Sequence, residues 1–180
     1  MTVPNLITIM RIILTPLFVI YLLGDEFLPA LVLFIIAGLS DAADGFIARV
    51  FDQKSKLGAF LDPLADKILL VSAFLVLAAK GLIRPWLTVI VISRDILIML
   101  GVLLLFLNNQ EFKGRPSVWS KMTTLLQLVT VFAVLTKDHF SYLYHYSQWL
   151  FWATGILTIA SGLLYMRDWF RMMGEGPLQD

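Results

Sequence analysis

Four aspartates stand in two pairs within otherwise apolar stretches, Asp41 and Asp44 three residues apart, Asp62 and Asp66 four apart. On a helix either spacing keeps both carboxylates on one face. A carboxylate in an apolar span costs several kcal/mol unless it faces a cavity, a partner or a metal, so such residues mark function by default. Four of them converging would repel one another, and bound divalent cations are the simplest remedy. Oxygen-only ligands suit hard ions such as Mg²⁺, Mn²⁺ or Ca²⁺, and two carboxylate-bridged metals form a clamp for phosphoryl chemistry. With no cysteine in the chain, any metal must be held by oxygen or histidine.

The residues beside the acids suit a phosphate ligand. Gly45 removes a side chain next to Asp44, Ala48 is small on the same side, and Arg49 supplies a fixed cation. Ser55 and Gly58 offer a hydroxyl and a bare backbone shortly before Asp62, and Pro63 sits early in a helix where its missing N–H matters least.

The elements that must position these residues are long and apolar. Of 180 residues, 59% are hydrophobic and 15% charged, against about half and a quarter in soluble domains. Stretches near the roughly 20 residues needed to cross a bilayer lie at 6–23, 28–50, 58–80, 85–108, 117–136 and 147–166. Breakers separate them, among them Gly24-Asp25-Glu26 and Gly81 with Pro85. The expected architecture is an all-α bundle of six transmembrane helices, forming one domain over 1–180. Pro4, Asn5, Thr8 and Arg11 interrupt the first run, which allows a short N-terminal interfacial helix before the first span. The start of the chain lacks the basic region and cleavage site of a removable signal peptide.

Basic residues accumulate on the cytoplasmic side. Arg11, Arg49, Lys54, Lys56, Lys67, Lys113, Arg115, Lys121, Arg167 and Arg171 fall near one surface, against Lys80, Arg84 and Lys137 near the other, with Arg94 inside a span. This asymmetry places both termini and the acids on the cytoplasmic side. His139 and His145 fall in a loop on the far side and are not expected to be ligands.

Asp41-x2-Asp44-Gly45-x2-Ala48-Arg49-x8-Gly58-x3-Asp62-x3-Asp66 resembles the signature of the CDP-alcohol phosphotransferases, with all eight fixed positions present. The Pro4-Asn5 opening with Arg11, the Arg94-Asp95 pair and Ser120-Lys121 are similar to the branch that makes anionic phospholipids. The resemblance implies that Asp41, Asp44, Asp62 and Asp66 ligate two divalent cations, Mg²⁺ or Mn²⁺. Asp66 would also take the proton from the attacking hydroxyl, while Gly45, Ala48, Arg49, Ser55 and Gly58 hold the cytidine diphosphate. It further implies CDP-diacylglycerol as donor, an anionic acceptor met by Arg94 and Lys121, a homodimer, and a bacterial inner membrane with no nucleic-acid partner.

For the acceptor, glycerol-phosphate-using members of the family usually carry further cations at the positions held here by Val102 and Thr123. The Ser93-Arg94-Asp95 and Ser120-Lys121-x-x-Thr124-x-x-Gln127 patterns look like cardiolipin synthases. The expected acceptor is therefore phosphatidylglycerol, with glycerol 3-phosphate as the alternative. A small cation transporter is the rival class, but its charges would be distributed through the membrane thickness. A non-catalytic scaffold would need small residues at helix contacts rather than carboxylates.

Overall fold

The structure is a computed structural model that describes residues 3–50, 56–107, 118–138 and 147–174, with side chains at 8–40, 67–101, 119–138, 147–167 and 169–170. Six helices make up the described chain: α1 Val3–Leu23, α2 Phe27–Val50, α3 Lys56–Ala79, α4 Pro85–Leu107, α5 Val118–Leu135 and α6 Ser147–Gly174. There is no strand among the described residues. α1 is continuous from Val3, so no separate short helix precedes it there. Among the described residues one helical segment, Ser147–Arg167, is by itself long and apolar enough to cross a membrane. Shorter apolar segments cover Thr8–Leu23, Phe27–Ser40, Lys67–Ala79 and Trp119–Leu135.

The turns follow from local chemistry. α3 ends in a Schellman turn, with Leu82 N–H donating to Leu77 O at 2.9 Å and Gly81 N–H to Ala78 O at 2.9 Å. Gly81 supplies the positive φ of 71° that this turn requires. α1 ends in the same way, with Glu26 N–H donating to Tyr21 O at 2.9 Å, but here the left-handed position is Asp25 at φ 61°. Its carboxylate receives Lys80 Nζ at 2.6 Å, so the two turns are tied together at one end of the bundle. α4 then begins on Pro85, whose fixed φ suits a first helical position and whose absent N–H has no partner to lose there.

Packing divides the six helices into two groups. α1 lies most extensively against α2 and α3, while α4 and α5 both lie against α6; contact across the groups is thinner, through α3–α4, α2–α5 and α3–α5. Close approach of α4 to α6 depends on glycine. A Cβ at Gly155 would fall 2.6 Å from the Trp86 ring, and one at Gly101 would fall 2.9 Å from Tyr165. Trp86 also packs on Trp152, with ring centroids 5.0 Å apart.

The bundle is polarised along its axis. Its apolar core is built from Phe18, Leu22, Phe27, Phe34, Phe74, Leu77, Ile83, Leu87, Val134 and Phe151, all toward the end that carries the α1–α2 and α3–α4 turns. The buried charged groups Arg11, Arg94 and Asp95 lie beyond this core, while buried hydroxyls occur on both sides, from Thr8 and Thr123 to Thr88, Thr136 and Ser147. Outward faces are apolar instead, with Met10, Ile13, Leu17 and Ile20 exposed along α1 and Met122, Leu125, Val129 and Phe132 along α5. Exposed apolar faces of this extent are unlike the surface of a water-soluble bundle.

Candidate functional site in the polar half of the bundle

The backbone of α2 carries Asp41, Asp44, Gly45, Ala48 and Arg49, and that of α3 carries Gly58, Asp62 and Asp66. At about 100° per residue, Asp41 and Asp44 lie about 60° apart around α2, and Asp62 and Asp66 about 40° apart around α3. The side chains of these residues, and Ser55 altogether, lie outside the described residues. α2 and α3 both pack against α1. In this half α1 buries Arg11, 1% exposed, together with Thr8.

Arg94 is the polar centre of the other group. It is 4% exposed on α4, and its guanidinium reaches two further helices. Nη2 donates to Ser120 Oγ of α5 at 2.6 Å and to Ser161 Oγ of α6 at 3.0 Å. Nη1 donates to Asp95 Oδ1 at 2.9 Å. Although consecutive residues diverge around a helix, the long arginine side chain folds back to its neighbour. The same Asp95 oxygen receives Lys67 Nζ of α3 at 2.6 Å. Arg94 Nε and Asp95 Oδ2 are buried without a hydrogen-bond partner among the described residues. One donor and one acceptor are thus left over in a low-dielectric setting, where unmet polar groups are costly.

Below this centre a polar seam runs between α5 and α6. Thr123 Oγ1 donates to Trp119 O at 2.8 Å and Leu157 O at 3.2 Å, Gln127 Nε2 donates to Thr158 Oγ1 at 3.3 Å, and the Thr130 and Thr154 hydroxyls lie 2.7 Å apart. Thr123 is fully buried, and Thr124 bonds back to Ser120 O. Lys121 is exposed on α5 beside Ser120. Val102 lies outside the described side chains.

Lys67 was not expected in the site, because sequence position alone makes it a boundary charge. A signal was available. Lys67 stands 11 residues into α3 and Asp95 stands 12 before the end of α4, so in neighbouring antiparallel helices they meet at about the same depth.

The matching family model, described as CDP-alcohol phosphatidyltransferase, covers residues 1–160. The chain belongs to this family. Among its curated relatives, the CDP-diacylglycerol--glycerol-3-phosphate 3-phosphatidyltransferase of Aquifex aeolicus is 32% identical, over 94% of this chain and 92% of the relative. The enzyme of the same name in Bacillus subtilis is also 32% identical, over 92% and 94%. The cardiolipin synthase (CMP-forming) of Rattus norvegicus is 38% identical over 91% of this chain, which spans 60% of that relative's length. Within the family, the eight-residue motif is the part of the chain that α2 and α3 carry, and Arg94 stands on the opposite helix group.

Proposed function

We propose that the protein transfers a phosphatidyl group from CDP-diacylglycerol to the hydroxyl of phosphatidylglycerol, giving cardiolipin and releasing CMP. The observation that carries the acceptor end is Arg94, buried, anchored on α4, α5 and α6, and keeping an unpartnered Nε–H for a phosphate oxygen. Asp41, Asp44, Asp62 and Asp66 offer only oxygen donors, which fits two Mg²⁺ or Mn²⁺ ions. When bound, such ions neutralise the diphosphate and polarise the phosphorus under attack. Gly45, Ala48, Arg49, Ser55 and Gly58 hold the cytidine diphosphate, and Asp66 accepts the proton of the attacking hydroxyl. Arg94 orients the acceptor phosphate, with Lys121 at the rim. No covalent enzyme intermediate is needed.

The acceptor reading rests on charge. Position 123 holds an uncharged threonine packed between α5 and α6, and position 102 a valine, so the chain carries fewer cations than a dianionic phosphate would favour. A monoanionic phosphodiester needs less. Thr123→Lys would drive an ammonium into the α5–α6 contact, so the acceptor is best tested on the unaltered chain. Given Mg²⁺, CDP-diacylglycerol and equal amounts of both acceptors, the purified protein should form cardiolipin as the dominant lipid. Dominant phosphatidylglycerophosphate would establish glycerol 3-phosphate, the second reading, which the near end-to-end match to the Aquifex aeolicus enzyme favours.

The six helices are proposed to span a bacterial inner membrane as a homodimer, with both termini and the site in the cytoplasm. α6 carries Trp149 at one end and Trp169 at the other, 20 residues or about 30 Å apart, matching the hydrocarbon thickness, with Arg167 at the cytoplasmic end. Reporter fusions after Asp52 and Asp180 should read as cytoplasmic and one after Asp138 as the opposite side. A cytoplasmic signal at Asp138 would break the six-span arrangement.

A further inference from the structure

The two groups of helices carry different parts of the proposed reaction, and their mutual contact is thin. The motif acids and Arg49 belong to α2 and α3, whereas Arg94, Ser120 and Ser161 belong to α4, α5 and α6. Transfer requires the acceptor hydroxyl to meet the phosphorus at about 3 to 3.5 Å, and an error near 1 Å costs about a hundredfold in rate. Something must hold the groups in register at the depth of the chemistry.

We infer that the ion pair between Lys67 and Asp95 is this pin, which makes both of them positioning residues for the transfer. The inference rests on the proposed roles of Asp66 and Arg94. Lys67 directly follows Asp66, so holding its Nζ at 2.6 Å from Asp95 restrains the rotation and height of α3 where the proposed base stands. The oxygen that takes Lys67 also takes Arg94 Nη1 at 2.9 Å, so a single atom couples α3 to the guanidinium that orients the acceptor. The Asp95 side chain is 5% exposed and that of Lys67 28%, so the carboxylate is shielded from water while the lysine stays partly exposed. Shielding from water strengthens the attraction relative to a surface pair.

The test uses the full-length protein in lipid nanodiscs with Mg²⁺, following CMP release and, separately, CDP binding by calorimetry. Lys67→Met and Asp95→Asn should each lower kcat by at least about tenfold while KM for CDP-diacylglycerol and the CDP affinity change by less than about threefold. The double variant should be no worse than the poorer single variant, because one shared contact is lost. Lys67→Arg, which keeps the charge and reach, should restore most of kcat. Unchanged kcat in both single variants, additive losses in the double variant, or CDP affinity falling in step with kcat would overturn the pin. Failure of the unaltered protein to release CMP with either acceptor would instead remove the underlying functional reading, and the pin with it.

Discussion

Replacing Asp41, Asp44 or Asp62 by alanine, or Asp66 by asparagine, is expected to abolish CMP release while leaving the protein in the membrane. On the proposed reading, each of the first three changes removes an oxygen ligand from a metal site that offsets diphosphate charge. Loss of one ordinary preorganised donor already costs roughly 3 kcal/mol, or about a hundredfold, and a metal ligand should cost at least that much. Asp66→Asn keeps the shape but removes the proposed proton acceptor, so its loss should fall on kcat. The measurement is CMP released per protein from CDP-diacylglycerol, alongside membrane-fraction abundance. Near-normal turnover in any two variants, or full activity in excess EDTA, would refute the two-metal assignment. A cation carrier, the rival class, would release no CMP at all.

The second large effect is expected at Arg94. Arg94→Met approximates the volume but removes the donors that reach Asp95, Ser120 and Ser161, together with the Nε–H proposed to meet the acceptor. A charge-assisted hydrogen bond to phosphate contributes about 1.5 to 3 kcal/mol, so loss of the one assigned to Nε–H predicts a turnover deficit of about tenfold to a hundredfold. Arg94→Lys should recover little, since one ammonium cannot reproduce a planar fork spanning three helices. Removing one member of a buried ionic network costs about 3 to 5 kcal/mol of stability, so detergent-solubilised Tm should fall as well. CDP binding separates the two effects. Retained CDP affinity with lost turnover places the defect at the acceptor end, and wild-type turnover in Arg94→Met would sink that role.

Much of the helical scaffold is legible in the hydropathy of the chain. Segments at 28–50, 85–108 and 117–136 correspond to helices at Phe27–Val50, Pro85–Leu107 and Val118–Leu135. The main departure is α6, expected to end at 166 but helical to Gly174. Charges at Arg167 and Asp168 end an apolar run, yet nothing in them ends a helix, and no proline follows before Pro177. The hydropathy boundary marks where lipid contact would end rather than where the backbone bonds end. Membership in the family was likewise legible, because the motif is a set of fixed local spacings.

The sequence by itself determined the class of chemistry, since residue types and short spacings suffice to put paired carboxylates on helix faces. What the tertiary structure decided is which charges answer which. Arg94 meets partners 26 and 67 residues away, and Lys67 meets Asp95 across two helices. It also decided that Thr123 is a packing residue against α6 and that the buried charges Arg11, Arg94 and Asp95 lie beyond the apolar core. The physical reason is that helical periodicity is a local property, whereas the pairing of buried polar groups depends on the depth and rotation at which distant helices meet.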